Sequence, residues 1–481
     1  KIFRMVALAA IVLAGLQGCG GGGGDQVAGG GIGGSGVTVG SVSEFGSVFV
    51  NGIEFDTSDA VVVVDGAERG TGNQAVLDNL AVGKLVRVEG PSEDGGTGTA
   101  QRLVYNEDII GPVTDVVEVD ANTRRLVVLG QTVVVDAQTN FSGTTLNEVA
   151  VGHFVEVSGF VDEQGAVFAT YFRKIADAMP PGAEVQVRGF AAGVNPGLRS
   201  FFINLLEIDY ATADVSALAG GAPVNGEYVE VKGSLNQEGV LAATSVAPED
   251  ILGVDDTDNI EITGIVTDFV SPSEFAVGGI PVATDGATTY KGILQEDIGP
   301  GSKLKVKGSL IDRVILADSI ESAALIKLDS NVRSLTIAEP DSAVLKLEGL
   351  EAIDVNLNEL TKILGASGIG GIEIGNRVKI FGRSFSSGSV TADKLIVKSN
   401  PSNRVSIKSA VEEIDNDVLV VLGVQINTAS IPSEGFSLDG GGPISRAEFR
   451  RLASVGDSVT ANGIYSGTEV NWQSIELSKS E

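Results

Sequence analysis

Eight residues, Gly83-Lys84-Leu85-Val86-Arg87-Val88-Glu89-Gly90, constrain this chain more than any others, because their pattern returns five more times. The copies are 152–159 (GHFVEVSG), 226–233 (GEYVEVKG), 301–308 (GSKLKVKG), 375–382 (GNRVKIFG) and a degenerate 456–463 (GDSVTANG). Glycine, two residues, then apolar, any, apolar, any and a second glycine describes a short strand with alternating faces between two turns. Successive copies start 69, 74, 75, 74 and 81 residues apart. A period of that length predicts a tandem array of six similar small domains, in place of one large core.

Each unit carries the same parts. Asn51-Gly52 supplies the two positive-φ residues of a type I′ turn, so 47–55 reads as a hairpin. Equivalent hairpins are read at 126–135 around Gly130-Gln131, at 275–282 around Gly278-Gly279 and at 418–426 around Gly423. Stretches able to make one or two helical turns follow at 74–80, 145–149, 293–297 and 446–452. After the glycine-bounded strand comes a last strand patterned alanine, two residues, apolar: Ala100 with Leu103, Ala169 with Phe172, Ala243 with Val246, Ala317 with Ile320, Ala392 with Leu395. In the sixth copy Trp472 takes the alanine place ahead of Ile475. The fold class expected is therefore all-β, about six small barrels of roughly five strands each, with a short helical insertion before the fourth strand. Closing into an open Greek-key barrel of the OB type hides the edges that a lone small sheet would expose, and a two-sheet sandwich is the alternative. The units are placed at 37–110, 111–178, 182–250, 260–323, 324–400 and 403–481, with proline-containing stretches marking three of the boundaries.

The N-terminus carries a different signal. Lys1 and Arg4 precede an apolar run from Met5 to Leu16, too short to span a bilayer, and then Leu16-Gln17-Gly18-Cys19. That order is the pattern of a secretory signal, here 1–18. A cysteine directly after Leu-x-Gly resembles the lipobox of bacterial lipoproteins, which implies that Cys19, the sole cysteine of the chain, is lipidated and becomes the mature N-terminus. Gly20, where an aspartate would favour the inner membrane, directs the expectation to the outer membrane, on its periplasmic or cell-surface face. The rest of 19–36 is nearly pure glycine and reads as a flexible tether reaching about 20 to 25 Å. Within it Gly31-Ile32-Gly33-Gly34-Ser35-Gly36 spells a dinucleotide fingerprint but neither follows a strand nor opens a helix, so it is a product of glycine content.

The glycine-bounded strand, the opening Phe45-Gly46-Ser47-Val48-Phe49-Val50-Asn51-Gly52-Ile53-Glu54-Phe55-Asp56-Thr57 and the lipobox together resemble bacterial lipoproteins built from the domain-of-unknown-function family 5666. The resemblance covers nearly all of the chain after the tether and is strongest in the first two repeats. It implies secreted or surface proteins with tandem β-rich domains, and it carries over no catalytic residue.

Charge and residue usage narrow the chemistry. A formal charge of −30, or −32 once Lys1 and Arg4 leave with a signal peptide, repels phosphate backbones, so nucleic acid is not an expected partner. With one cysteine there is no intramolecular disulfide, and each domain has to be held by burial. No Gly-x-Ser-x-Gly elbow and no phosphate-cradling Gly-Lys-Ser or Gly-Lys-Thr occurs. The single histidine, His153, occupies the second place of the repeated strand, where the other copies carry Lys84, Glu227, Ser302, Asn376 and Asp457. It reads as a solvent-facing residue at a place accepting any polar group. Asp255, Asp256 and Asp258, beside Thr257 and Asn259, pack hard oxygen donors at a spacing that suits calcium, although no glycine or downstream glutamate of a calcium loop accompanies them. No other cofactor is expected. The reading that follows is a non-enzymatic envelope lipoprotein, a structural or interaction scaffold of repeated β-domains. The alternative is a multivalent, adhesin-like module for glycan or another envelope polymer, calcium-assisted through that aspartate cluster.

Overall fold

The computed structural model describes residues 36–44, 47–92, 96–249, 252–439 and 442–478; the signal segment, Cys19 and the tether up to Ser35 lie outside them. Alternation within each octet makes it the fourth strand of a barrel. In unit 4 that strand is Lys303–Ile311, where Leu304, Val306 and Leu310 point inward and are at most 2% exposed. Around it run Thr257–Ser271, Glu274–Val277, Ile280–Ala283 and Val314–Ser322, in ring order first, second, third, fifth, fourth and back to first. Third and fifth strands are parallel and every other pair antiparallel, a closed Greek-key ring of the OB type. The same ring closes in unit 2 (Ile109–Asp120, Thr123–Val128, Gln131–Asp136, Phe154–Val161, Val167–Ala176) and in unit 5 (Ile326–Glu339, Ser342–Leu347, Asp354–Leu357, Arg377–Ser386, Ser389–Lys398). In unit 3 the first strand bends at Ala191, so that Val185–Phe190 pairs with the fourth strand, Tyr228–Leu235, and Ala192–Asn195 with the second, Ser200–Ile203. Unit 1 closes through a single bridge, Val42 to Val50.

Unit 6 departs from this plan. Glu413–Asp415, Val418–Val421 and Val424–Asn427 form their own three-stranded sheet, and Phe436–Leu438 lies parallel to the fifth strand, Val470–Ser478. No described strand pairing joins Val424–Asn427 to the fifth strand, so the ring stays open. The physical reason is the long insertion after the third strand, which brings two 3-10 turns, Thr428–Ser430 and Ser433–Gly435, into the gap.

The two glycines of the octet have separate jobs. The first has φ between +75° and +96° in all six copies, a conformation open chiefly to glycine. The second sits where the pairing of fourth and fifth strands slips by one residue, opposite the patterned alanine: Gly159 faces Ala169, Gly233 Ala243, Gly308 Ala317 and Gly382 Ala392. A Cβ on Gly308 would lie 2.1 Å from the Leu316 carbonyl oxygen. Glycine and alanine are thus two halves of one β-bulge that bends the sheet into a barrel. In unit 6 Gly463 faces Trp472, whose ring fills the space.

Local expectations held in part. Asn51 (φ 56°) and Gly52 (φ 82°) make the type I′ turn, but the turn in unit 2 is Leu129-Gly130, one residue before the pair expected. Leu129 and its counterpart Leu422 hold a left-handed conformation uncommon for bulky residues, with side chains buried, each 2% exposed. Helices form at Gly72–Asn79 and Arg446–Leu452, the latter capped by the Ser445 hydroxyl accepting from the Glu448 amide at 3.1 Å. A 3-10 turn forms at Gln295–Asp297, whereas 145–149 gives only a hydrogen-bonded turn, Glu148 N to Thr145 O.

The units are not beads on a string. First strands pair across units: unit 2 with unit 3 antiparallel, unit 5 with unit 6 antiparallel, and unit 1 with the distant unit 4 in parallel, Val37–Val39 lying beside Ile260–Ile262. Cores follow the pairing. One continuous apolar cluster spans units 2 and 3, another spans units 5 and 6, and Val37 joins the cluster of unit 4. Among the described residues no helix is long and apolar enough to cross a membrane.

Candidate functional site

The second place of the octet does not accept any polar group at will. In five copies its side chain accepts a hydrogen bond from the backbone N–H three residues earlier. His153 Nδ1 accepts from Ala150 at 3.3 Å, Glu227 from Val224 at 2.9 Å, Ser302 from Gly299 at 3.2 Å, Asn376 from Glu373 at 3.0 Å and Asp457 from Ser454 at 2.8 Å. This side chain closes the turn that feeds the strand. His153 is half-buried and precedes the strand, so the solvent-facing strand reading is corrected to a turn-closing acceptor.

Lysine has no acceptor, and Lys84 does something else. Its ammonium stands 2.8 Å from the Glu156 carboxylate of unit 2, over the ring of Tyr105 at 4.0 Å and near that of Tyr171 at 5.2 Å. Glu156 is fully buried and also binds the Tyr105 hydroxyl at 2.7 Å and Arg173 at 2.6 Å. Burial pushes its carboxyl up, yet Lys84, Tyr105 and Arg173 together outweigh that and leave it below the usual value. Two more contacts fasten the seam, Leu85 N to Ser158 Oγ at 3.1 Å and Thr170 Oγ1 to the Gly83 carbonyl at 2.5 Å. Nearby, Arg188 of unit 3 reaches Asp65 of unit 1 at 3.1 Å and pairs with Glu230. Next to these groups burial raises Glu107 to about 7 and Asp108 to about 6, Glu156 and Asp65 adding repulsion on Glu107 and Arg188 opposing the rise on Asp108.

A second ionic seam joins units 4 and 5. Asp297, 1% exposed, pairs with Lys379 at 2.5 Å and with Lys398, while Lys394 donates to the Asp297 carbonyl and to Ser302 Oγ, both at 2.7 Å. Lys394 is wholly buried, and that burial lowers it to about 7 although Asp297 opposes the shift. Units 2 and 5 are tied by Arg383 to Asp136, by Lys362 to Glu163 at 2.8 Å, and by Arg125 to Glu359 at 2.9 Å.

Where units 1, 2, 4 and 5 meet, these seams enclose a cavity of about 380 Å³. Val42, Phe160, Phe168, Ile265 and Leu360 supply apolar wall, and Lys303, Lys362, Arg383, Asp136, Asp162 and Asp393 supply charge. Sequence reasoning passed over all of these residues. A signal was present in the run Lys303-Leu304-Lys305-Val306-Lys307, which places three lysines on one face of a strand in a chain with nearly twice as many acidic as basic residues.

The expected calcium donors are brought together only in part, Asp255 and Asp256 on one polar hollow and Asp258 outside it. Asp256 Oδ1 accepts from the Asp312 amide at 3.0 Å, the Asp258 carbonyl accepts from Ser309 at 3.3 Å, and Asp255 and Asp256 line the hollow with Glu89 and Arg313. Among the described residues no three histidine, cysteine, aspartate or glutamate side chains converge as a metal-holding group. Cys19 lies outside the described residues.

Comparison with known families matches the model of a Domain of unknown function (DUF5666) to residues 38–103, 111–171, 207–247 and 263–321. No curated protein and no solved structure matches the chain. Each matched stretch contains a glycine-bounded fourth strand, at Leu85–Glu89, Phe154–Val161, Tyr228–Leu235 and Lys303–Ile311. Unit 5, outside the matched stretches, repeats the same ring, and the chain carries four tandem stretches that match the DUF5666 model.

Proposed function

We propose that the chain is a non-enzymatic scaffold of the bacterial envelope, held at the outer membrane through a lipid on Cys19 and presenting one preformed body at the end of a glycine tether. The observation that carries this reading is the way the units use up one another's edges. First strands that would lie open in isolated barrels are paired between units, and Glu156 and Asp297 are buried at seams with cations from neighbouring units. Such a body offers a fixed outer surface to protein or glycan partners, with no part for nucleic acid. A string of independently swinging modules would instead leave each edge to a ligand.

Fractionation and proteolysis test both halves of the proposal. Wild-type protein should sediment with membranes, and Cys19→Ala should move it to the soluble fraction. Limited elastase digestion, which cuts after small residues such as Val27 and Ala28, should remove the tether and leave the body as one associated species, cuts included, on gel filtration. Wild-type protein free of membranes, or separated single units after mild digestion, would overturn it.

A further inference from the structure

One cation of the cavity has no ion-pair partner among the described residues. Arg383 is engaged by Asp393 at 2.8 Å and by Asp136, and Lys362 is engaged by Glu163. Lys303 is not: among the described residues no carboxylate oxygen lies within 4.0 Å of its ammonium, which stands over the Phe160 ring at 4.5 Å. The wall beside it is apolar, with Val42, Phe168, Ile265 and Leu360. A cavity of about 380 Å³ falls in the size range of small-molecule sites, roughly 300 to 1,000 Å³.

We propose that this cavity binds a small amphipathic carboxylate, its acid group on Lys303 and its apolar body against Phe160, Phe168 and Ile265. The complementarity is chemical. Burying an ammonium in an apolar cleft costs several kinds of hydration at once, and a carboxylate entering from water replaces them with a charge-assisted hydrogen bond. Burial pulls Lys303 down, opposed only by the more distant Asp393, so a bound anion would raise it again. A neutral ligand of the same shape would leave the ammonium unmet, and an amine would be repelled. Because walls come from units 1, 2, 4 and 5, the site exists only in the assembled body, and a bound acid would tie both ionic seams together.

The test titrates the soluble body, residues 37–481, with sodium octanoate by calorimetry and repeats the titration with octanol and octylamine. Octanoate should saturate at one equivalent, and both uncharged and cationic analogues should bind at least roughly tenfold more weakly, the usual worth of a hydrogen bond to a charged group. Lys303→Met should lose octanoate by a similar factor and melt no lower than wild type, since it removes a half-buried charge without an ion-pair partner. Ile265→Trp, which fills the cavity from the first strand of the same unit, should abolish binding with Lys303 intact. No octanoate heat at millimolar concentrations, or binding that Lys303→Met leaves unchanged, would overturn the assignment.

Discussion

Replacing Lys84 by methionine should open the seam between units 1 and 2, and the size of the effect can be worked out. The Lys84–Glu156 contact is 2.8 Å long, with side chains 9% and 0% exposed. At an effective dielectric of about 20 the attraction amounts to roughly 6 kcal/mol, most of it cancelled by the cost of taking both charges out of water. Removing one partner of a buried pair typically costs about 3 to 5 kcal/mol, because the other charge is stranded. Here Arg173 and Tyr105 still serve Glu156, so Lys84→Met should cost about 2 to 3 kcal/mol. Glu156→Gln strands Lys84 less completely, since the ammonium keeps the faces of Tyr105 and Tyr171, a contribution of about 1 to 2 kcal/mol. The double variant no longer buries a lone charge from this pair, and its cost should fall short of the sum of the singles by about 2 kcal/mol. Hydrogen exchange read by mass spectrometry over Leu85–Glu89 and Phe154–Val161 reports the local opening free energy directly. Additivity within about 0.5 kcal/mol would show that the two side chains are not coupled and that the seam is held by backbone and apolar contacts.

Three further outcomes are expected. Gly308→Ala forces a methyl group against the Leu316 carbonyl and should destabilise unit 4 by about 1 to 3 kcal/mol, read as faster exchange in Lys303–Ile311; unchanged exchange would refute the bulge argument. His153→Ala removes the turn-closing acceptor and should lower unit 2 by about 0.5 to 1.5 kcal/mol, with His153→Asn restoring it, whereas equal melting of both variants would mean the acceptor does nothing. Lys394 is lowered to about 7, so between that pH and its unfolded value the folded state binds fewer protons than the unfolded chain and stability rises with pH. Raising pH from 7 to 9 should therefore stabilise the seam between units 4 and 5 by about 2 to 3 kcal/mol through this group, and Lys394→Met should flatten that rise. Glu107 and Asp108 act with the opposite sign: their raised values favour the folded state at acid pH, and that support is lost as pH climbs through about 6 and about 7.

What could be read in advance was whatever repeats locally. Alternation of Val86 and Val88 with Leu85, Arg87 and Glu89, the positive-φ pair Asn51-Gly52 and the glycine–alanine partnership all act over a few residues, and they carry the barrel with them. The choice of neighbours acts over hundreds. Nothing near Val37 distinguishes a partner in unit 4 from one in unit 2, because edge pairing depends on which faces have already been covered. Buried charge was equally silent. Lys84 and His153 occupy the same place in the pattern, yet one spans two units and the other closes a turn, a difference decided by Glu156, which lies 72 positions further along the chain. The open ring of unit 6 follows from an insertion whose length was visible and whose path was not.

The parallel pairing of Val37–Val39 with Ile260–Ile262 also sets a schedule. Chains emerge N-terminus first, and these partners are 223 positions apart, so at about 5 to 20 residues per second the first strand waits roughly 10 to 45 seconds for its mate to be made. During that interval unit 1 can close its ring but keeps one bare edge, and unit 2, which appears sooner, already has its own mate in unit 3. The order of appearance thus steers Val37 away from the wrong neighbour: by the time the right one arrives, the nearest competitors are taken.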